Sequence, residues 1–241
     1  NMRDERIDGN EITKIGYRRS SINFNRFRWK SEIESKFTDS INNHLNQEEN
    51  VIKVYFWHFF RHRSLNSEID TYLNKYVVLN ACRKNGISIP ESIVTSDKKS
   101  LISFKKKFEQ IITKNGTQGI DMAYDKNIFS GFTTVVSEKD IDQLGDSFFP
   151  SFFQQMIDKA FEVRCFYIDG AYYSSAIFSQ ADDKTKVDFR NYNSQKPNRT
   201  PPYELPKKLK RNIKNLMGDL KLNCGSIDIL VDTTGKHYLL E

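Results

Sequence analysis

The chain has 241 residues, of which 38% are hydrophobic, 28% charged and 13% aromatic. That composition excludes a disordered tail, a collagen-like fibre and a small disulfide-stapled domain, and the length allows one large domain or two moderate ones. A chain of this size buries about 70–75% of its extended surface, enough for a real core and an internal cleft. Lys and Arg number 37 against 31 Asp and Glu, a net charge of +6. The surplus suits an anionic ligand such as a nucleotide or an acidic peptide, and it is too small and too dispersed to argue for DNA binding.

The three cysteines, Cys82, Cys165 and Cys224, are far apart and odd in number, and no CxxC or Cys/His cluster accompanies them. A zinc site is therefore not expected, and a reducing cytoplasm is the natural setting. The longest apolar run, Val54 to Phe60, is interrupted by His58 and falls far below the ~20 residues of a membrane span. The polar N-terminus has no apolar core of a signal peptide. The expectation is a soluble cytoplasmic protein with no membrane and no nucleic-acid partner. Both ends read as cut, because the chain opens without a hydrophobic strand and stops at Glu241 inside the strand-like run HYLLE.

In chain order, residues 1–70 are aromatic and basic, and the run VYFWHFF reads as core. Ser67 to Asp70 offer capping residues before a helix with Tyr72, Tyr76, Leu79 and Cys82 near one face, closed by Asn85-Gly86. ISIPESIVT reads as a strand whose Pro90 favours an edge position. Ser100 then caps a second helix with Leu101, Phe104 and Phe108 inward. Ile111 to Lys114 form a short strand, followed by a glycine-containing loop, and the stretch to Ser130 has no clear period. Phe152 to Ile157 is an apolar run. Glu162–Ile168 and Ala171–Phe178 flank Asp169-Gly170, a type I′ hairpin signal. Lys186 to Arg190 would continue that sheet. Leu205, Leu209, Ile213, Leu216, Met217 and Leu220 form one apolar helix face with lysines outside it, and a last hairpin over Ser226–Glu241 turns at Asp232 to Gly235. Strands and helices mix without regular alternation, so the class is α+β or mixed α/β, with antiparallel sheet dominating the second half.

The P-loop, GxGxxG and GxSxG signatures are absent. The last hairpin is the best clue from residues alone. With Val231 opposite Lys236, Asp228 lies opposite Leu239, and Glu241 falls on the face of Asp228, within reach of a shared cation. Magnesium is held by one or two carboxylates plus substrate phosphates, which this spacing would supply. Two ordinary solvated hairpin acids are the alternative, and an odd-length turn would put the pair on opposite faces. Lys114, ending a strand beside a glycine-containing loop, is either a phosphate-binding cation or a solvated strand end. Lys75 carries the same choice with less support. Glu162 with Arg164, and Asp188 with Arg190, alternate onto single strand faces. They read either as a structural ion-pair ladder or as a ribose carboxylate with arginines facing a transferred phosphate.

Taken in order, these pieces resemble the ATP-grasp superfamily. NKYVVLNACRKNGISIPESIVTS resembles its NK…A…P segment, and IITK the strand bearing its nucleotide-binding lysine. FFQQMIDKAFEVRCFYIDGAYYSSAIFSQ resembles the adenine hinge and following hairpin, and GSIDILVDTTGKHYLLE the closing magnesium motif. Within the superfamily, VDFR and the early YRR resemble the graspetide (microviridin-type) peptide synthetases, and the branch most similar is the maturase of grasp-with-SPASM systems. The resemblance implies an ATP-grasp fold with residues 1–70 the remnant of an N-terminal domain, 71–157 a central subdomain and 158–241 a C-terminal subdomain truncated at its end.

It also implies the activity. ATP phosphorylates an Asp or Glu side chain of a ribosomally made precursor peptide, and a Ser/Thr hydroxyl or Lys amine of the same peptide displaces phosphate to close an ω-ester or ω-amide ring. A RimK-like amino-acid ligase and a non-catalytic peptide binder with a degenerate fold are the rival readings. By resemblance, Lys75 and Lys114 contact ATP phosphates, and Gln155, Met156 and Ile157 hold adenine through the backbone. Glu162 binds ribose, and Asp228 and Glu241 hold Mg2+. Asp188 and Arg190 match the DxR element that engages the reacting peptide, and Arg164 supports the phosphate. The implied partners are a precursor peptide with a leader segment and a second copy in a homodimer. Gln155 stands where many relatives have Glu, and the Asn expected two residues after Glu241 is absent from the sequence.

Overall fold

The computed structural model describes residues 8–16, 35–66, 73–116, 121–124, 127–130, 133–180 and 198–241. The chain divides into two compact units, Asn1–Tyr72 with Lys221–Asn223, and Leu73–Leu220 with Cys224–Glu241. In the first, helix α1 (Ser35–Phe60) carries VYFWHFF, of which Trp57 and Phe60 are buried while Tyr55 and Phe59 are exposed, so the run is core on one side only. Strands β1 (Ile15–Gly16) and β2 (Ser64–Leu65) pair in parallel. The Asn223 side chain fastens this unit, accepting from the Asn66 N–H at 2.7 Å and donating to the Ser64 carbonyl at 3.0 Å. Among the described residues, no helix is long and apolar enough to cross a membrane.

The second unit begins with helix α2 (Lys75–Lys84). Ser67–Asp70 lie outside the described residues. The cap is Asn74 instead, whose side chain accepts from the N–H groups of Tyr76 and Val77, satisfying donors that the first turn leaves without an intrahelical partner. Val78, Leu79 and Cys82 face inward, and Tyr76 is exposed. The predicted end at Asn85-Gly86 is present in full. Gly86 has φ +66°, its N–H donates to the Arg83 carbonyl, and the Ile87 N–H donates to the Cys82 carbonyl, the paired bonds of a Schellman motif.

Strand β3 (Ser92–Asp97) starts after Pro90 and takes the edge of a four-stranded sheet in the order β3-β8-β4-β7. Its neighbours are β4 (Ile111–Thr113), β7 (Thr134–Val135) and β8 (Ser147–Gln155), the last extending the expected apolar run backward to Ser147. Helix α3 (Lys98–Lys105) is capped by Asp97, not by Ser100, whose N–H donates to the Asp97 carboxylate at 2.7 Å. A capping box between Ser137 and Asp140 starts helix α4 (Glu138–Asp142). Leu101, Phe104, Ile111, Val136, Ile141 and Phe153 form the core beneath this sheet. The stretch without a clear period contains an unpredicted hairpin, β5 (Asp121–Tyr124) with β6 (Asn127–Ser130).

A second antiparallel sheet has the order β10-β9-β11-β12. Strands β9 (Lys159–Ile168) and β10 (Ala171–Ile177) turn at Asp169 (φ 44°) and Gly170 (φ 89°), the two left-handed residues of a type I′ turn as predicted. Val163, Cys165 and Tyr167 on β9 share a buried face with Ile227 and Ile229 of β11 (Cys224–Asp232). Helix α5 (Lys207–Asp219) presents Ile213, Leu216 and Met217 as its buried face and is tied to β10 where the Tyr172 hydroxyl donates to the Lys210 carbonyl. The sheet closes with β12 (His237–Leu239). Lys186–Arg190 lie outside the described residues.

Candidate functional site

The face of the second sheet opposite its apolar side carries charge. Arg164 on β9 stands directly opposite Asp228 on β11, because a period of two puts Glu162 and Arg164 on the side that Val163 and Cys165 avoid. The guanidinium grips both carboxylate oxygens, Nε to Oδ1 at 2.8 Å and Nη2 to Oδ2 at 2.7 Å. An ion-pair ladder between neighbouring strands was one of the two readings of Arg164, and its observed partner is on the neighbouring strand β11. That hydrogen bond, more than the Coulomb field of the neighbouring acids, raises the guanidinium's proton affinity above the ordinary arginine value.

Glu162 is buried and pairs with Lys159, a residue the sequence reading did not single out. On a regular strand these two would point to opposite faces. The pairing of β9 with β11 shifts between Val231 and Asp232, which oppose Phe161 and Lys159, so the extra residue, Ala160, turns Lys159 to the side of Glu162. The Ser179 hydroxyl adds a hydrogen bond to the same carboxylate at 3.3 Å. Burial pushes the Glu162 carboxyl above the usual carboxylate range, and the Lys159 ammonium pulls in the other direction.

The terminal hairpin departs from the predicted register. Val231 pairs with His237 and Ile229 with Leu239, one residue later than expected, and continuing that ladder would send Glu241 to the far face. It does not continue regularly. The Asp228 N–H donates to the Glu241 carbonyl at 2.9 Å while the Leu240 N–H donates to the Asp228 carbonyl at 2.8 Å. Two residues therefore oppose one, the pattern of a β-bulge, which re-aims the side chain that follows. Glu241 ends 3.5 Å from the Lys75 ammonium.

Lys75 links this hairpin to the strand-end segment that bears Lys114. Its Nζ also donates to the Asn115 carbonyl at 3.1 Å, and Asn74 fixes the turn from which it projects. The Lys114 ammonium lies 5.8 Å from the centre of the Phe152 ring, and Tyr76 packs on the same ring. A Cβ on Gly116 would meet the Tyr76 hydroxyl at 2.6 Å, so this glycine is what permits the close approach. The geometry thus joins Lys75, Arg164, Asp228 and Glu241, sets Glu162 beside them in a closed pair, and places Lys114 next to Asn115. Asp188 and Arg190 lie outside the described residues.

The hinge residues begin at Gln155, the last residue of β8. The N–H groups of Gln155 and Met156 are already committed, to the carbonyls of Glu91 (2.8 Å) and Gln110 (3.0 Å). A base seated there would have carbonyls for its amino group and the Ile157 N–H for a ring nitrogen. Just before the hinge, Gln154 is fully buried. Its amide donates to the Ser92 hydroxyl, which donates on to the Pro90 carbonyl, and its own Oε1 has no partner among the described residues. No signal in the sequence marked Gln154 or Ser179; Lys159 was hidden by the strand parity that the bulge breaks.

The donor set fits a magnesium ion that comes with phosphate. Asp228 and Glu241 could supply hard oxygen ligands, and no group of three His, Cys, Asp or Glu close enough to hold a metal occurs among the described residues. A site with two carboxylates leaves the rest of an octahedral shell to water and to substrate phosphates.

No protein-family profile and no curated protein sequence matches the chain. Solved structures do. The RiPP-associated ATP-grasp ligase of Chryseobacterium gregarium, solved with ADP and a leader and core peptide, is 25% identical with a TM-score of 0.73, over 87% of this chain and 62% of its own. Macrocyclase MdnC of Microcystis aeruginosa MRC, bound to precursor peptide MdnA, is 26% identical with a TM-score of 0.75, over 99% of this chain and 72% of its own. The ATP-grasp ligase PsnB, solved with a minimal precursor, Mg and ADP, shares the fold at 18% identity and a TM-score of 0.64. This chain thus spans about two thirds of the length of the structures it matches. Its mixed α/β architecture is the ATP-grasp fold, in the form seen in RiPP-associated ligases.

Proposed function

We propose that the protein is an ATP-dependent ligase that acts on a ribosomally made precursor peptide. It would activate Asp or Glu side chains as acyl phosphates and close ω-ester or ω-amide links within the same peptide. The observation that supports this best is that both acids of the terminal hairpin are met by cations, Asp228 by Arg164 and Glu241 by Lys75, in a fold shared with ligases solved with ADP and precursor peptides.

A carboxylate is a poor electrophile at neutral pH, and transfer of a phosphoryl group to its oxygen creates a leaving group. Asp228 and Glu241 would hold Mg2+, which when bound offsets charge on the transferring phosphoryl oxygens. Lys75 and Lys114 would bind the phosphates of ATP, and Arg164 would support them from β9. Gln155, Met156 and Ile157 would hold adenine through the backbone, with Ile157 as the donor. Glu162, assigned to ribose, is locked to Lys159, so a hydroxyl would meet a carboxylate already oriented. Asp188 and Arg190 would engage the reacting peptide, with Arg190 stabilising the acyl phosphate. The glycine-containing segment after Lys114, of which residues 117–120 lie outside the described residues, would exclude water and so protect that intermediate from hydrolysis.

We assign 1–70 to an N-terminal domain, 71–157 and 158–241 to the two subdomains that clasp the nucleotide, and the branch to grasp-with-SPASM maturases. A cytoplasmic homodimer recognising a leader segment completes the reading. The test is mass spectrometry of the candidate precursor after incubation with the protein and Mg-ATP. Loss of one water per link supports ring closure. A mass gain equal to an added amino acid would mean a RimK-like ligase, and an unchanged peptide with no Mg-ATP binding by calorimetry would mean a non-catalytic binder.

A further inference from the structure

Both oxygens of the Asp228 carboxylate are taken by Arg164. The Asp228 side chain is 14% exposed, while that of Arg164 is 45% exposed, so the carboxylate is the fixed partner and the guanidinium the one with room to swing. A fork of two parallel N–H···O bonds takes one in-plane lone pair on each oxygen, the inward-facing pair that chelation of a divalent ion would also use. Glu241, the second carboxylate, is held by Lys75 at 3.5 Å. Each metal-capable acid therefore already has a cation on it.

We propose that Arg164 makes metal binding conditional on nucleotide, by occupying Asp228 until a polyphosphate offers its guanidinium another anion. Free divalent metal is then refused, and metal enters with the nucleotide. The proposal rests on the ATP-dependent reading above and adds an order of events to it. Arg164 stands two residues from Glu162 on one face of β9, so anionic charge remains beside the guanidinium after it leaves Asp228. Two carboxylates leave most of a magnesium shell to water and phosphate, and the phosphates that displace Arg164 are groups that magnesium also accepts as ligands. One event thus frees the first ligand and delivers others.

The experiment titrates Mn2+ into the full chain, read by the loss of free-ion electron paramagnetic resonance signal, with and without ADP. Wild-type protein is expected to bind free Mn2+ weakly and to bind it well once ADP is present. Arg164→Gln should bind Mn2+ without ADP about tenfold tighter or more, the scale on which a group bonded to a ligating carboxylate changes metal affinity. Arg164→Lys, which keeps charge but loses the fork, should fall between them. Adding Asp228→Asn to Arg164→Gln should remove the gain and so locate it. Wild-type and Arg164→Gln proteins that bind ADP yet show equal affinity for free Mn2+ would overturn the proposal alone. Folded protein that binds no ADP, with or without Mn2+, would overturn the nucleotide reading and the proposal with it.

Discussion

Lys159→Met separates the buried charge pair from everything around it. The substitution keeps an unbranched stem of similar reach and removes only the ammonium, leaving the Glu162 carboxylate with the Ser179 hydroxyl at 3.3 Å as its remaining described partner. Both side chains of the pair are 7% exposed, so water screens little, and stranding one charge of such a pair costs about 3–5 kcal/mol. For a domain of this size that is a fall in Tm of about 6–20 °C. Glu162 has one escape, to take up a proton. Its folded-state pKa already lies above the ordinary glutamate value because of burial, so the folded state holds more protons than the unfolded one across the interval between the two. Stability therefore falls as pH rises through that interval and is fully present below the unfolded value. Removing Lys159 takes away the main force lowering this pKa, so the interval widens upward. The penalty should be small near pH 5 and grow by up to about 1.4 kcal/mol per pH unit toward neutrality. The assay is urea unfolding at several pH values from 5 to 8, with Lys159→Met/Glu162→Gln as the control that should abolish the pH dependence. A loss below 1 kcal/mol, or one equal at pH 5 and pH 8, would refute the reasoning.

Asn74→Ala removes the side-chain acceptor for two N–H groups of the first turn of α2 and should cost about 1 kcal/mol; thermal unfolding would show it, and an unchanged Tm would mean water caps the turn equally well. Gly170→Ala meets no atom within 4 Å of its new Cβ, so its cost, roughly 1–2 kcal/mol by chemical denaturation, would come from φ +89° alone. Asp228→Asn should nearly abolish ADP release while leaving precursor binding measurable, and unchanged turnover would remove the metal role from Asp228. Glu241→Gln breaks only a loose pair on a side chain 47% exposed, so its stability should stay within about 1 kcal/mol of wild type while Mg-dependent turnover falls.

The parts of the fold legible in the sequence are those written by local chemistry. Asn85-Gly86 and Asp169-Gly170 announced their turns because left-handed backbone has few suitable residues, and α5 announced itself through the spacing of Ile213, Leu216 and Met217. Caps were less legible: Ser100 and Asp97 are both good capping residues, and which one wins depends on where β3 ends. The β5–β6 hairpin escaped because DMAYDKNIFS has neither alternation nor a glycine turn. The site was legible as residue types in order, and its geometry was not. A one-residue register shift sets Asp228 and Glu241 on opposite faces by parity, and only the bulge at Leu240 restores them. A second bulge, at Ala160, brings Lys159 to Glu162. Bulges are set by the partner strand, so a strand read alone gives no sign of them.

The three ion pairs described around this site, Arg164–Asp228, Lys75–Glu241 and Lys159–Glu162, differ in kind, and burial decides how. At the dielectric of a protein surface, a pair of unit charges 4 Å apart is worth about 1–4 kcal/mol, comparable to what a phosphate oxygen would offer either cation. Arg164–Asp228 and Lys75–Glu241 each have a half-exposed member, so exchanging one anion for another there is close to thermoneutral and needs no core to open. Lys159–Glu162 cannot exchange in that way, because separating it leaves a charge without water. The site therefore holds one pair that fixes a carboxylate in place and two that can trade partners. The exchangeable pairs hold every residue assigned to metal, and the fixed pair holds the residue assigned to a neutral hydroxyl. A charged ligand has to displace something, whereas a sugar hydroxyl needs only an acceptor already in position.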